Sequence, residues 1–195
     1  MIKKLLTLAL MLLLVPCLAL AESYQSYAAE DGSLSFLYPE DWLLLSKENI
    51  DSVLDAAATV EGVAEMAEAA RTQIEQLGMI VLVDETGLNN INLQLQDTGT
   101  ELSGDTLMAL APSLQSAIEG SLEGVTFYDP ELMDINGTDA LLMQCSYTLV
   151  GIDFQQLQAY MSMGTRLAVV TLTCSSQDRF SAGAETLGVI LGSLS

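Results

Sequence analysis

The chain has 195 residues, half of them hydrophobic, with 26 Asp and Glu against six Lys and Arg and no histidine. Without histidine there is no Ser-His-Asp or Cys-His nucleophile, no imidazole metal ligand and no ordinary side chain that titrates near neutrality. A formal net charge of −20 argues against nucleic acid, whose phosphates need a basic footprint, and disfavours anionic lipid surfaces for the same reason.

Residues 1–21 read as a secretory signal peptide. Lys3 and Lys4 form a positive start, Leu5 to Val15 is apolar apart from Thr7, and Ala19-Leu20-Ala21 offers a small-x-small cleavage site. That apolar run is too short to span a bilayer, which needs about 20 residues. Cys17 follows Leu14-Val15-Pro16 at the distance expected of a lipoprotein signal, but Pro16 stands where a small residue is expected. We therefore expect secretion, with lipid anchoring at Cys17 as the alternative. Cleavage after Ala21 leaves residues 22–195 as one domain in which Lys47, Arg71, Arg166 and Arg179 face all 26 acids, a net charge of −22.

Tyr24 to Tyr38 alternates as strands around an Asp31-Gly32 turn, and Pro39 terminates the second of them before Trp42 and Leu43-Leu44-Leu45. Ser46 to Leu77 carries helical periodicity, with Ser46 as the expected N-cap, Gly62 as a possible break and Gly78 as the stop. Met79–Val83 and Ile91–Leu95 follow as strands. A second helix is capped at Ser103 or Asp105, with Leu107, Leu110/Ala111, Leu114, Ala117/Ile118 and Leu122 as its stripe; Pro112 predicts a kink or a late start.

From Val125 the pattern is a β-meander: Val125–Tyr128, Leu132–Ile135, Asp139–Val150, Phe154–Met163 and Arg166–Ser175. Asn136-Gly137, Gly151-Ile152-Asp153 and Gly164-Thr165 are its turns. Ser176 then caps a C-terminal helix with Phe180, Ala184, Leu187, Leu191 and Leu194 on one face. The expected plan is α+β: one antiparallel sheet with helices packed on it, a long helical segment at 46–77 and a C-terminal helix. Pairing Val150 with Phe154 and Met163 with Arg166 sets Cys145 two strands and four residues from Cys174, on the same face. Two strand spacings alone are about 9.6 Å, beyond the roughly 7 Å that a disulfide tolerates between Cα atoms. Two free thiols are expected.

Phe36-Leu37-Tyr38-Pro39-Glu40-Asp41-Trp42, the Ile135-Asn136-Gly137-Thr138-Asp139-Ala140 hairpin, the three-strand meander and the final strand Arg166–Thr173 with its closing helix together resemble the PsbP-like superfamily, which includes DcrB-type bacterial lipoproteins. The resemblance covers most of the mature chain and is weakest at Ser46–Leu77. It implies an α/β/α sandwich with a central antiparallel sheet, and a non-catalytic module that binds proteins or stabilises assemblies. It carries over no catalytic, cofactor-binding or metal-binding residues. Tyr38, Pro39 and Trp42 match the motif as fold residues, with an aromatic partner contact as the functional alternative.

Among enzymatic templates, Asp97-Thr98-Gly99 has the form of an aspartic peptidase turn, and one copy per chain would require a symmetric dimer. Gln96 stands where those enzymes have an apolar strand, so a polar turn after Leu95 is the simpler expectation. Asp134 to Asp139 places glycine at the fourth position rather than the sixth of a calcium loop, so a hairpin turn is the expectation, with weak divalent cation binding by so many carboxylates as the alternative. Glu61, Glu65, Glu68 and Glu75 form an acidic helix face, either solvated or a docking surface for a basic partner. The expected function is an exported, non-enzymatic binding module for a protein partner at the cell envelope. The alternatives are a small apolar ligand held between sheet and helix, and a dimeric aspartic peptidase using Asp97.

Overall fold

The computed structural model describes residues 23–57, 71–87 and 89–195. The expectations for the signal segment, Cys17, Gly62 and the Glu61, Glu65 and Glu68 face lie outside the described residues. The strands are β1 (Tyr24–Ala28), β2 (Ser35–Pro39), β3 (Leu43–Leu45), β4 (Ile80–Val83), β5 (Asn90–Asp97), β6 (Thr126–Phe127), β7 (Glu131–Ile135), β8 (Thr138–Leu149), β9 (Ile152–Met163) and β10 (Arg166–Cys174). The helices are α1 (Ile50–Ala57), α2 (residues 71–77), α3 (Gly104–Glu119) and α4 (Gln177–Ser193).

β3 to β10 form one antiparallel sheet in the order β3-β4-β5-β10-β9-β8-β6, with β7 sharing the outer edge of β8. Strict alternation sends its side chains to two faces. Val170, Leu172 and Cys174 of β10 join Ile91 and Leu93 of β5 and Ile80 and Leu82 of β4 on the first face. That face is covered by α4 through Phe180, Leu187, Ile190 and Leu191, and by the β1–β2 hairpin through Leu34 and Phe36. On the second face Leu107 and Ala111 of α3 pack against Leu141, Met143, Tyr160 and Leu167. Ile50 of α1 and Ile74 of α2 cover Val81 beside them. Each such fully buried Leu, Ile or Phe contributes roughly 1.5–3 kcal/mol, so both helical layers are held by the sheet. The result is an α/β/α sandwich with a central antiparallel sheet and a C-terminal helix.

Several elements depart from the sequence expectations. The β1–β2 hairpin forms a two-stranded sheet of its own. The free edge of β2 pairs with the C-terminus: Ser35 N donates to Ser195 O at 2.9 Å and Ser195 N to Ser35 O at 3.1 Å. Ser46 does not cap a helix starting beside it. Its backbone N–H donates to the Asn49 side chain at 2.8 Å, a turn follows, and α1 begins only at Ile50. Pro112 lies inside α3 without delaying its start, because Ser103 caps the helix by accepting from Thr106 N. Pro112 itself points to solvent, and so do Leu110 and Ala117 of the expected stripe.

The register of β8 and β9 also differs. Leu149 pairs with Ile152, so the turn is Val150-Gly151 rather than Gly151-Ile152-Asp153. Cys145 is therefore level with Gln156 and Thr173, not with Ala159 and Val170. The offset to Cys174 becomes one residue, which puts the two thiols on opposite faces of the sheet. Both are free and buried. The sheet itself separates them, a stronger barrier to bridging than the distance expected from sequence.

Candidate functional site

The long β8–β9 hairpin outruns its neighbours. β10 pairs with β9 only as far as Gln155, and β6 pairs with β8 only as far as Ser146. Among the described residues, 147–154 thus pair only with one another, through Tyr147↔Phe154, Thr148↔Asp153 and Leu149↔Ile152. At about 3.4 Å per residue, this finger stands roughly 10 Å beyond the sheet. Its two sides differ. Tyr147 and Phe154 stack at 5.5 Å, and Leu149 and Ile152 continue their side outward at 52% and 46% exposure. On the other side Thr148 Oγ1 donates to Asp153 Oδ1 at 2.7 Å.

Val150 forms the tip at 94% exposure. It has φ 52° and Gly151 has φ 79°, the positive pair of a type I′ turn that Asn-Gly would normally occupy. A β-branched residue is a genuine outlier there, at a cost of about 1–2 kcal/mol. The Asn136-Gly137 turn of the same chain shows the relaxed solution, with φ 56° and 86°.

A second feature surrounds Trp42. Tyr38-Pro39-x-x-Trp42 ends β2 in a turn in which Trp42 N donates to Pro39 O at 3.2 Å. Trp42 rests against the first-face core and lines a cleft of about 190 Å³ with Asp41, Asp84, Glu85, Asn89, Arg179 and Thr186. Asp84 is its hub. It accepts from Thr86 N and Oγ1 at 3.1 and 2.7 Å, from the Asn89 side-chain amide, and from Arg179 Nη1 at 3.1 Å. Although burial opposes ionisation, the donors from Thr86 and Asn89 hold this carboxyl below its usual range.

A second cleft, about 300 Å³, lies among Tyr27, Asp31, Ser33, Lys47, Glu48, Asp97 and Arg166. Arg166 Nη2 donates to Ser33 O at 2.8 Å, and Tyr27 donates to Glu48 Oε2 at 3.3 Å. Burial, then the Glu48 carboxylate, pushes the Tyr27 phenol up to about 12. A third, about 330 Å³, opens between Leu114, Ile118 and Leu122 and the sheet residues Gln156, Gln158, Tyr160 and Val169.

The residues singled out by sequence are scattered over this surface. Asp97 closes β5 opposite Arg166 rather than sitting in a turn, and Thr98 Oγ1 is bound to the carbonyls of Thr165 and Thr100 at 2.8 and 2.7 Å. Asp134 accepts from Gly137 N at 3.0 Å and Asp139 from Gly104 N at 2.9 Å, so both carboxylates serve the backbone. Glu75 lies 3.9 Å from Arg71, which also reaches Asp51 of α1 at 2.8 Å. Among the described residues no group of three or more His, Cys, Asp or Glu is arranged to hold a metal ion, and no helix is long and apolar enough to cross a membrane. Sequence reasoning missed the finger because it placed the turn one residue late. The Asp84–Asn89–Arg179 cluster left no local signal, since Arg179 joins from 95 residues away.

Solved structures share this order of hairpin, sheet and closing helix. The solution structure of cyanobacterial PsbP (CyanoP) from Synechocystis matches with a TM-score of 0.59 at 14% identity, over 93% of this chain and 98% of that one. LpqN, involved in cell envelope biogenesis of Mycobacterium tuberculosis, matches with a TM-score of 0.55 at 15% identity, over 88% and 90% of the two chains. The Saccharomyces cerevisiae Ran-binding protein Mog1p matches with a TM-score of 0.52 at 10% identity, over 90% and 96%. The sequence matches no protein-family model and no curated protein. At these identities the likeness is one of fold.

Proposed function

We propose that the chain is an exported, non-catalytic binding module that engages a protein partner at the cell envelope, and that the 147–154 finger is its principal contact. The observation carrying this reading is the apolar tip. Leu149, Val150 and Ile152 are held away from the body of the protein, in a turn whose geometry Val150 opposes. A strained, exposed apolar tip has no use in the isolated fold, and strain of this kind collects at functional positions. The net charge of −20 directs the finger toward protein rather than anionic lipid. The fold neighbours include a Ran-binding protein and a protein of envelope biogenesis, which supports a binding role on this scaffold. The apolar start at residues 5–15 with its Ala19-Leu20-Ala21 site supports export.

Affinity capture from envelope extracts tests this with two baits, the wild-type chain and the variant Leu149→Ser/Val150→Asn/Ile152→Thr. The wild type should retain a partner that the variant loses while remaining as stable. Identical capture by both would dismiss the finger as the contact.

The cleft beneath α3 favours a second reading, a small apolar ligand between helix and sheet. Its 330 Å³ lies at the lower end of ligand-sized cavities. Native mass spectrometry of protein purified from its own host would reveal a bound ligand, and a single peak at the bare chain mass would oppose this reading.

A further inference from the structure

The Trp42 cleft holds an acceptor that the fold leaves unused. Asn89 is 5% exposed, yet its side-chain Oδ1 has no hydrogen-bond partner among the described residues. Its Nδ2 is already committed to Asp84, and its backbone N–H and C=O both bond to Asp84 as well. A buried carbonyl oxygen without a donor costs roughly 1–3 kcal/mol, so a guest N–H that reaches this atom would be favoured.

The charges around it select the kind of donor. Arg179 neutralises Asp84, while Asp41 and Glu85 stay exposed on the rim with no ion-pair partner among the described residues. The cleft is therefore about two charges negative. The positive end of α4 does not reverse this. Its first-turn N–H groups are partly satisfied by the Ser176 cap, and the cleft extends over the later turns at Ala182, Gly183 and Thr186, where the dipole has faded. Trp42 supplies the remaining wall, and an indole is the best aromatic surface for a cation. Size limits the guest. At about 190 Å³ the cleft is smaller than the 300–1,000 Å³ of drug-sized ligand sites, which suits one side chain better than a whole metabolite.

We propose that the Trp42 cleft receives a single basic side chain, lysine or arginine, of a protein partner. Its N–H groups would face Asn89 Oδ1 and its charge would lie between Asp41, Glu85 and the Trp42 ring. This rests on the protein-binding reading above but uses a site separate from the finger.

Trp42 is the only tryptophan, so its fluorescence reports on the cleft directly. The full chain is titrated at low salt with N-acetyl-lysine amide and N-acetyl-arginine amide, with N-acetyl-norleucine amide as the neutral isostere and putrescine and calcium chloride as free cations. The expected result is a saturable response to at least one cationic amino-acid amide, weakened by salt and at least threefold weaker in Asp41→Asn/Glu85→Gln. The exposed control pair Glu119→Gln/Glu123→Gln should leave it unchanged. An equal response to norleucine amide, a response only to putrescine or calcium, or no response to either amide would overturn the proposal. Because the finger lies outside the cleft, no wild-type response to either amide with finger-dependent partner capture intact would reject this site alone; a cationic response with capture identical for the wild type and the finger variant would reject the finger alone.

Discussion

Replacing Val150 with asparagine should stabilise the protein. The residue is 94% exposed and has φ 52°, so the substitution gives up almost no buried area while relieving a conformation that costs a β-branched side chain about 1–2 kcal/mol. Asparagine tolerates that region and favours the type I′ turn already formed with Gly151. A net gain of about 1 kcal/mol follows, or a rise in Tm of roughly 2–4 °C for a chain of this size. Val150→Gly relieves the same strain but enlarges the entropy of the unfolded chain by about 0.5–1 kcal/mol. The expected order of stability is therefore Asn, then Gly, then the wild type. Urea unfolding followed by Trp42 fluorescence and circular dichroism should show the midpoint rising with an unchanged slope. A Val150→Asn protein no more stable than wild type would refute the claim that the tip is strained. If the tip is also the docking element, the stabilised variant should bind its partner less well, an inversion that a purely structural turn would not produce.

Three further outcomes follow from the packing. Asp84→Asn should cost about 2–3 kcal/mol by weakening bonds to a charged acceptor. Its native carboxyl is held below the usual value, so this stabilisation is present above the unfolded pKa near 3.9 and disappears as pH falls through the lower folded value; urea midpoints of the two proteins should converge in acid, and a constant gap would contradict the assignment. Burial pushes the Cys174 thiol up to about 11 and also raises Cys145, so at pH 8 native Cys174 should react with iodoacetamide about two orders of magnitude more slowly than in urea; fast native labelling read by mass spectrometry would count against the described packing. Gly183→Ala would place a Cβ 2.8 Å from Leu172 Cδ1 and 3.1 Å from Cys174 Sγ. Overpacking of about 1–3 kcal/mol should outweigh the helix-propensity gain of about 1 kcal/mol, and thermal melts showing a higher Tm would exclude that close approach of α4 to β10.

What was legible in the sequence is the part written in local chemistry. Ser103 and Ser176 announced their helices because a cap is a contact across three residues, and Asn136-Gly137 announced its hairpin because those residues relax the turn they occupy. The β8–β9 turn was misplaced for the opposite reason. Val150 breaks the local rule, so local chemistry points to the glycine next to it as the first turn residue and shifts the register. That slip inverted the facing of Cys145 while leaving the two-strand separation, and hence the free thiols, correct. Ser46 misled because its environment is tertiary: it is buried beneath a turn organised by Asn49. The separate β1–β2 sheet was hidden because alternation reports which face is buried, not which edge is paired, and here the edge is taken by Ser195. The Trp42 cleft was legible only as a motif; its floor comes from the Asp84–Asn89 turn and its far wall from α4.

Photo-crosslinking from position 150 tests the central claim most directly. A benzophenone side chain at Val150, introduced into the full chain in its own host, should form one dominant crosslink to another protein. The same group at Glu123, an exposed position outside the finger, should not form it. Crosslinks at both positions to the same mixture, or at neither, would contradict a docking role for the finger.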